Sequence, residues 1–148
     1  MCIRASASRT HRDKVAALVE RARGAGARVV TGGHVVERDG GFFYAPTVLA
    51  DLEPDAEVVV DEVFGPLLTV QPFDTEDEAV ALANGTRYGL ASGIQTGDLA
   101  RAHRIAARLR AGITCVNGWA ILDPAVPLGG VKALGLSLIL IPEATKTH

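Results

Sequence analysis

The stretch TEDEAVALANGTRYGLASGIQTGDLARAHRIAARLRAGITCVN, residues 75–117, decides the fold class of this protein. Thr75 and Glu78 form a capping-box pattern, in which each side chain satisfies a free backbone N–H at the start of a helix. Gly85 ends that helix, and Asp98 caps the next one. The second helix carries its apolar residues on one face, at Leu99, Ala102, Ile105, Ala106 and Leu109. The stretch therefore contains two predicted helices.

Two strand patterns alternate with these helices. YGLASGIQT at 88–96 is the first, and its Gly93 weakens the strand or lets a neighbouring group come close. ITCVN at 113–117 is the second, a short apolar run that ends on a polar residue. Alternating strands and helices predict an α/β fold with right-handed crossovers and a mostly parallel sheet flanked by helices.

The preceding part of the chain adds further elements. A helical stripe of apolar residues runs from about Thr10 to Arg23, and Gly24 follows it as a stop signal. The tight turn Asp39-Gly40-Gly41 separates two strand-like runs and predicts a hairpin. Residues 67–73, LLTVQPF, are rich in strand formers.

Composition excludes several classes of function. The 148 residues are 48% hydrophobic and 22% charged, with a formal net charge of -2, as in ordinary soluble domains. The sequence has no basic stripe, so we expect no nucleic acid partner. The longest apolar run, near Leu134 to Ile141, is too short to cross a bilayer, and residues 1–10 carry no apolar signal-peptide core. We expect a cytoplasmic protein without a membrane partner.

The cysteines and histidines form no recognisable catalytic or metal-binding set. Cys2 and Cys115 match no metal-ligand spacing, and Cys115 lies in an apolar strand pattern typical of a core position. No histidine has an acid or nucleophile at a spacing that indicates a triad. We therefore predict no metal site.

The hexapeptide DEVFGP, residues 61–66, combines two carboxylates, an aromatic ring and a stiff Gly-Pro turn. By itself it admits two interpretations. Glu62 is either a solvated turn charge or a ligand-binding carboxylate, and Phe64 is either a core residue or an aromatic contact for a ligand. Short motifs of this kind do not separate these alternatives.

Several patterns in order resemble the aldehyde dehydrogenase superfamily. They are SRTHRDKV at 8–15, GGFFYAPTVL at 40–49, EVFGP at 62–66, PFDTEDEAVALAN at 72–84, YGLASGIQT at 88–96, RLRAGITCVN at 108–117 and PLGGVKALG at 127–135. The resemblance covers about Ser8 to Gly135. It implies oxidation of an aldehyde to a carboxylic acid with NAD or NADP. It also implies that residues 1–148 form a single partial catalytic domain, the later part of the family's domain, with a divergent tail at 136–148.

The resemblance also implies binding roles for individual residues. Glu62 corresponds to the glutamate that holds the nicotinamide ribose, since a carboxylate is an acceptor and can take both ribose hydroxyls. Phe64 corresponds to an aromatic residue beside the nicotinamide. Asn117 and Trp119, in the loop that walls the aldehyde tunnel, correspond to substrate-binding positions, as does Leu128, which stands where a phenylalanine is usual. For Asn117 a strand-end cap is the structural alternative, and for Trp119 an exposed or interface aromatic.

The sequence departs from the family where the chemistry is concentrated. Neither the GQxC motif of the nucleophilic cysteine nor the upstream glutamate base is present, and the context of Cys2 does not fit a nucleophile. No catalytic residue is therefore assigned, and we expect this chain to be inactive alone. The alternatives are a non-catalytic interaction or oligomerisation module, which would bind itself or other aldehyde dehydrogenase subunits, and a non-functional gene remnant.

Overall fold

A computed structural model describes residues 8–38, 40–119 and 129–134 of the chain. The fold divides into two compact units, with the boundary between Pro72 and Phe73. Both contain helices and strands, which confirms the predicted α/β class. None of the helices in the described ranges is both long and apolar enough to cross a bilayer.

The first unit is built on helix α1, Arg9–Gly24, whose start is fixed by the side chain of Ser8, which accepts a hydrogen bond from the His11 amide at 3.1 Å. The predicted apolar stripe is its buried face, where Val15 and Val19 are at most 1% exposed. They pack with Tyr44 and Leu49 in the core of the unit.

The strands of the first unit form two small sheets. β1 (Arg28–Thr31), β4 (Thr47–Ala50) and β5 (Leu67–Thr69) lie in the order β1-β4-β5, with β1 antiparallel and β5 parallel to β4. β2 (Val35–Arg38) and β3 (Gly41–Tyr44) form the predicted hairpin, with Val35 opposite Tyr44. The one-turn helix α2, Glu57–Val60, connects β4 to the segment that precedes β5, and Val58 anchors it by burial.

The second unit alternates helix and strand as predicted. α3 (Glu76–Asn84) is capped by Thr75, α4 (Leu99–Ala106) by Asp98, and each cap side chain accepts a backbone hydrogen bond. β6 (Ala91–Ile94) and β7 (Ile113–Val116) pair in parallel, with Ala91 opposite Ile113. A short 3-10 helix, Lys132–Leu134, follows in the last described segment.

Charged and amide side chains tie the helices of the second unit together. Glu76 in the first turn of α3 accepts hydrogen bonds from Arg101 at 2.7 Å and from Arg104 at 2.9 Å. At the other end of α3, the amide of Asn84 donates to the Arg108 carbonyl at 2.9 Å. Lys132 Nζ donates to the Asn84 carbonyl at 3.0 Å, so a cation caps the negative end of the helix.

The structure refines several predictions. Pairing among the described strands is mixed, since β4–β5 and β6–β7 are parallel while β1–β4 and β2–β3 are antiparallel. Leu99, assigned to the buried face of α4, is 72% exposed because it is the first residue of the helix, whereas Ala102 is buried. Strand β5 ends at Thr69, short of the predicted end at 73. The tail at 136–148 lies outside the described residues, and its divergence stays a prediction.

Candidate functional site

The turn at 61–66 connects α2 to β5 in the first unit. It begins where the Asp61 amide donates to the Glu57 carbonyl at 3.0 Å, which closes the single turn of α2. Glu62 is exposed, and Phe64 is 76% exposed. The core alternative for Phe64 is therefore wrong, because its ring lies on the surface of the unit.

The second half of this turn is anchored to the core. A Cβ at Gly65 would lie 2.7 Å from Val15 Cγ2, so only glycine lets the turn approach α1 this closely. The carbonyl of Pro66 accepts from the Thr47 amide at 2.8 Å and starts the parallel pairing of β4 with β5. The turn is thereby fixed at its junction with the sheet.

Phe64 itself has an unusual backbone. Its φ is 50°, in the left-handed region that a bulky residue enters at a cost of about 1–2 kcal/mol. Its carbonyl accepts a hydrogen bond from Nε2 of His11, on α1, at 2.6 Å. Backbone strain of this kind persists only where surrounding contacts hold it, and it concentrates at functional sites.

The turn exposes one carboxylate and one aromatic ring. Within the described part of the chain, the Glu62 carboxylate makes no hydrogen bond or ion pair, so its oxygens remain available as acceptors for a pair of hydroxyls. The Phe64 ring offers an apolar face two residues away. The two residues predicted to bind the cofactor are thus both exposed.

The strand end at Asn117, in the second unit, has a different construction. Asn117 Oδ1 accepts from the Thr96 amide at 2.9 Å, and Nδ2 donates to the Thr96 carbonyl at 2.8 Å. The amide of Asn117 also donates to the Ile94 carbonyl at 2.8 Å. The side chain therefore extends the β6–β7 pairing by one step, as the strand-end cap alternative predicted. One N–H and one oxygen lone pair of the carboxamide remain.

Trp119 lies just beyond this strand end. Its indole ring covers Gly93, since ring carbons lie 3.3 Å from the position of a Cβ at that residue. Of the two alternatives for Gly93, this contact supports the second, that the glycine lets a neighbouring group come close. Trp119 is nevertheless 67% exposed, so most of the indole is available to a ligand or another surface. Leu128, the third predicted substrate-binding residue, lies outside the described residues.

A cleft of about 850 Å³ lies between α3, β6 and α4. Its walls are largely apolar, with Val80, Ile94 and Ile105 among the lining residues. Three charged residues line the cleft, Asp74, Glu76 and Arg101, and the last two pair with each other at 2.7 Å. No cysteine or histidine of the described ranges lines it, so it offers no nucleophile or general base of those types.

The perturbed ionisable groups of the described ranges are structural. Hydrogen bonds from Arg104 and then Arg101 hold the pKa of Glu76 below its usual value, and Arg21 has the same effect on the pKa of Glu57. Burial raises the pKa of Tyr44. No group of three or more potential metal ligands occurs in the described ranges.

Neither cysteine is predicted to be a nucleophile. Cys115 is a free thiol on β7 and is partly buried, so it is less enclosed than the predicted core position. Cys2 lies outside the described residues. The turn at 61–66 and the strand end at 117–119 thus expose polar and aromatic side chains, while these two cysteines are the only thiols of the sequence.

A sequence profile of the aldehyde dehydrogenase family matches residues 3–146 of this chain. The chain belongs to the aldehyde dehydrogenase family. It is similar to a 2-aminomuconic 6-semialdehyde dehydrogenase of a Pseudomonas species, with 47% identity over 133 residues, which make up 87% of this chain and 27% of the relative.

Solved structures of other aldehyde dehydrogenases have the same fold. An NAD-dependent aldehyde dehydrogenase from Sinorhizobium meliloti superposes with a TM-score of 0.83 at 39% identity, over 89% of this chain and 26% of that one. A betaine aldehyde dehydrogenase from Staphylococcus aureus, in complex with NAD+, gives 0.80 at 37% identity, over 84% and 25%. The aldehyde dehydrogenase chain described here therefore spans about a quarter of the length of these relatives.

Sequence reasoning missed two residues that hold the turn of this aldehyde dehydrogenase chain. The sequence predicts no partner for His11, because its partner is a backbone carbonyl 53 positions away and no local pattern indicates such a contact. Gly65 was read as part of a turn, although its main constraint is the packing of α1. A glycine beside a proline indicates a turn but does not reveal which surface the backbone approaches.

Proposed function

We propose that this chain supplies part of the cofactor and aldehyde sites of an NAD-dependent aldehyde dehydrogenase, an enzyme that oxidises an aldehyde to a carboxylic acid. The observation that carries the proposal is the turn at 61–66, where Glu62 and Phe64 are exposed on an anchored backbone. Family membership over residues 3–146 supports it.

In this proposal Glu62 and Phe64 bind the cofactor. The Glu62 carboxylate accepts hydrogen bonds from the two hydroxyls of the nicotinamide ribose, and the Phe64 ring packs beside the nicotinamide. When bound, NAD supplies hydride-accepting chemistry. NAD is favoured over NADP because similar solved enzymes are described as NAD-dependent or as NAD+ complexes.

Three further residues are proposed to face the aldehyde. Trp119 contributes exposed apolar area that excludes water from the reacting groups. Asn117 retains one N–H donor beyond its bonds to Thr96, which can orient a polar group of the substrate. Leu128 is proposed as an apolar wall of the same site.

The 148 residues are proposed to bind without catalysing the reaction, because they contain no GQxC motif. The test incubates the purified chain with NAD or NADP and a panel of aldehydes, and follows nicotinamide reduction by absorbance. We expect no rate above that of a heat-denatured sample. Turnover that Cys2→Ala abolishes would show that the chain carries its own nucleophile.

Cofactor binding is tested separately by ligand-observed NMR with NAD. Wild-type protein is expected to transfer saturation to the ribose and nicotinamide protons, and Glu62→Gln to reduce this signal several-fold. Glu53→Gln is a matched control, because Glu53 is also an exposed carboxylate of the first unit. Equal signals from both variants would contradict the role of Glu62.

A second candidate function is an interaction module for copies of this chain or for other aldehyde dehydrogenase subunits. The first unit exposes apolar side chains on the two outer strands of its three-stranded sheet, with Val30 on β1 52% and Leu68 on β5 59% exposed. Exposed apolar patches often mark interfaces. Light scattering of the wild type and of Leu68→Ser tests it, and a wild-type monomer at high concentration would contradict it.

A further inference from the structure

His11 makes the shortest of the contacts that hold the cofactor-facing turn. Its Nε2 lies 2.6 Å from the carbonyl oxygen of Phe64. A carbonyl oxygen only accepts, so Nε2 must carry the proton. The neutral ring with its proton on Nε2 and the imidazolium can both donate, whereas the neutral ring with its proton on Nδ1 cannot.

This bond acts on the Phe64 peptide itself, next to Val63, which packs against the core of the unit. Gly65 and Pro66 are fixed by packing on Val15 and by pairing with Thr47, and Asp61 is fixed by the end of α2. Phe64 lies between them with φ at 50°. Its carbonyl must remain oriented toward α1 for that conformation to persist, and His11 supplies the donor on α1.

The position of His11 on the helix suits this task. It is the third residue of α1, where its backbone amide is already bound by the Ser8 side chain. The imidazole is therefore free of any capping role. A change of this side chain can remove the donor to Phe64 without removing the cap that starts the helix.

We propose that His11 is a positioning residue for the cofactor site: its Nε2–H holds the Phe64 peptide in the left-handed conformation that presents Glu62 and Phe64 to NAD. The part concerning NAD rests on the function proposed above. The hydrogen bond and its effect on the turn do not depend on that function, and the experiment measures the two separately.

The first measurement is amide hydrogen exchange of the full 148-residue chain. In His11→Leu, we expect the Leu67 amide, bonded to the Gly65 carbonyl at 2.8 Å, to exchange about fivefold faster, the ratio that corresponds to one net hydrogen bond. His11→Gln retains an N–H donor and is expected to restore most of the protection. The Val70 amide, bonded to Leu49, is an internal control for global unfolding.

His34→Leu is the matched control variant. His34 also lies near a backbone carbonyl, with Nδ1 3.1 Å from the oxygen of Gly32, but this partner is two residues away and not in the turn at 61–66. We expect it to leave Leu67 exchange unchanged. Equal acceleration by His34→Leu and His11→Leu, or no acceleration by either, would overturn the proposal.

The second measurement is the nitrogen spectrum of the His11 ring together with NAD contact. We expect a protonated Nε2 at neutral pH, and a deprotonated Nε2 would overturn the proposal. Saturation transfer to NAD should fall in His11→Leu and return in His11→Gln. If NAD never contacts wild-type protein while the exchange results hold, the cofactor function fails and the control of the turn by His11 stands.

Discussion

Phe64 and Asn117 share one backbone feature and use it in opposite ways. Their φ angles are 50° and 52°, both in the left-handed region. At Asn117 the side chain is bound on both sides by the Thr96 backbone. At Phe64 the backbone carbonyl is bound by His11 and the side chain is exposed.

The side chain of Asn117 therefore stabilises the end of a strand, whereas the side chain of Phe64 is exposed to solvent. Asparagine tolerates the left-handed region, so Asn117 is compatible with its conformation and adds two hydrogen bonds. Phenylalanine does not, and at 76% exposure Phe64 gains little burial in the first unit to offset the strain. A strained backbone at a residue with an exposed side chain indicates a role in binding. It does so more strongly than a left-handed residue whose side chain is already hydrogen-bonded.

The largest expected effect on stability comes from removing the side-chain hydrogen bonds of Asn117. Asn117→Ala removes two hydrogen bonds and leaves a residue that tolerates left-handed φ poorly, so the second unit should lose about 2–3 kcal/mol of stability. Urea unfolding measures this loss. Asn117→Gly removes the same bonds without the strain and should cost less. An equal loss in both variants would contradict the backbone contribution.

The next prediction tests how the turn that carries Phe64 packs against α1 at Gly65. Gly65→Ala places a methyl group 2.7 Å from Val15 Cγ2, and overpacking of this kind should destabilise the first unit by about 2 kcal/mol. Gly24→Ala is the matched control, since no atom lies within 4 Å of its added Cβ. Thermal unfolding of the two variants should differ clearly, and equal melting temperatures would contradict the packing argument.

A smaller effect of opposite sign is expected at Phe64. Phe64→Asn should stabilise the first unit by about 1 kcal/mol, because asparagine adopts left-handed φ more readily and little buried area is lost. The same variant should weaken contact with NAD. Urea unfolding and ligand-observed NMR measure the two outcomes. A loss of stability in Phe64→Asn would mean that the ring contributes to packing in the first unit.

The smallest expected effect on stability concerns Glu76, whose carboxylate is paired with arginines, unlike the exposed carboxylate of Glu62. Arg104 and then Arg101 hold the pKa of Glu76 below its ordinary value of 4.5, so the folded state favours the ionised form. Its contribution is full above that value and is lost as pH falls through the lowered pKa.

In Glu76→Gln, stability should therefore decline less steeply below pH 4.5 than in the wild type. High salt should reduce the difference between them, because exposed ion pairs are screened. Unfolding measured across acidic pH at two ionic strengths tests this. Parallel curves at low salt would contradict a stabilising role for the pairs with Arg101 and Arg104.

Local signals predicted the elements that local chemistry determines. Thr75 and Asp98 cap their helices as expected, and the hairpin at Gly40 and Gly41 follows from its turn residues. In the capping-box pattern, Glu78 accepts from the Asp74 amide, one residue before the cap, at 2.8 Å. These contacts join residues close in sequence, so composition and spacing suffice.

Long-range contacts escaped prediction for a physical reason. Strand β1 pairs with β4 across the intervening hairpin, and no local pattern selects that partner. Helix α2 consists of Glu57 and three valines, which favour strands, and it forms because Val58 is buried by the core. For the site, the resemblance supplied Glu62 and Phe64, whereas the strain at Phe64 and its bond to His11 depend on the folded backbone.

The indole over Gly93 has an optical consequence. Trp119 is the one tryptophan of the sequence, and it lies in the second unit. Fluorescence excited selectively at the indole therefore comes from a single place, the end of the β6–β7 pair. Loss of that pair changes the surroundings of the emitter, while melting confined to the first unit leaves its attachment to Gly93 intact. The chain thus carries a built-in reporter that distinguishes stepwise from concerted denaturation without any added dye.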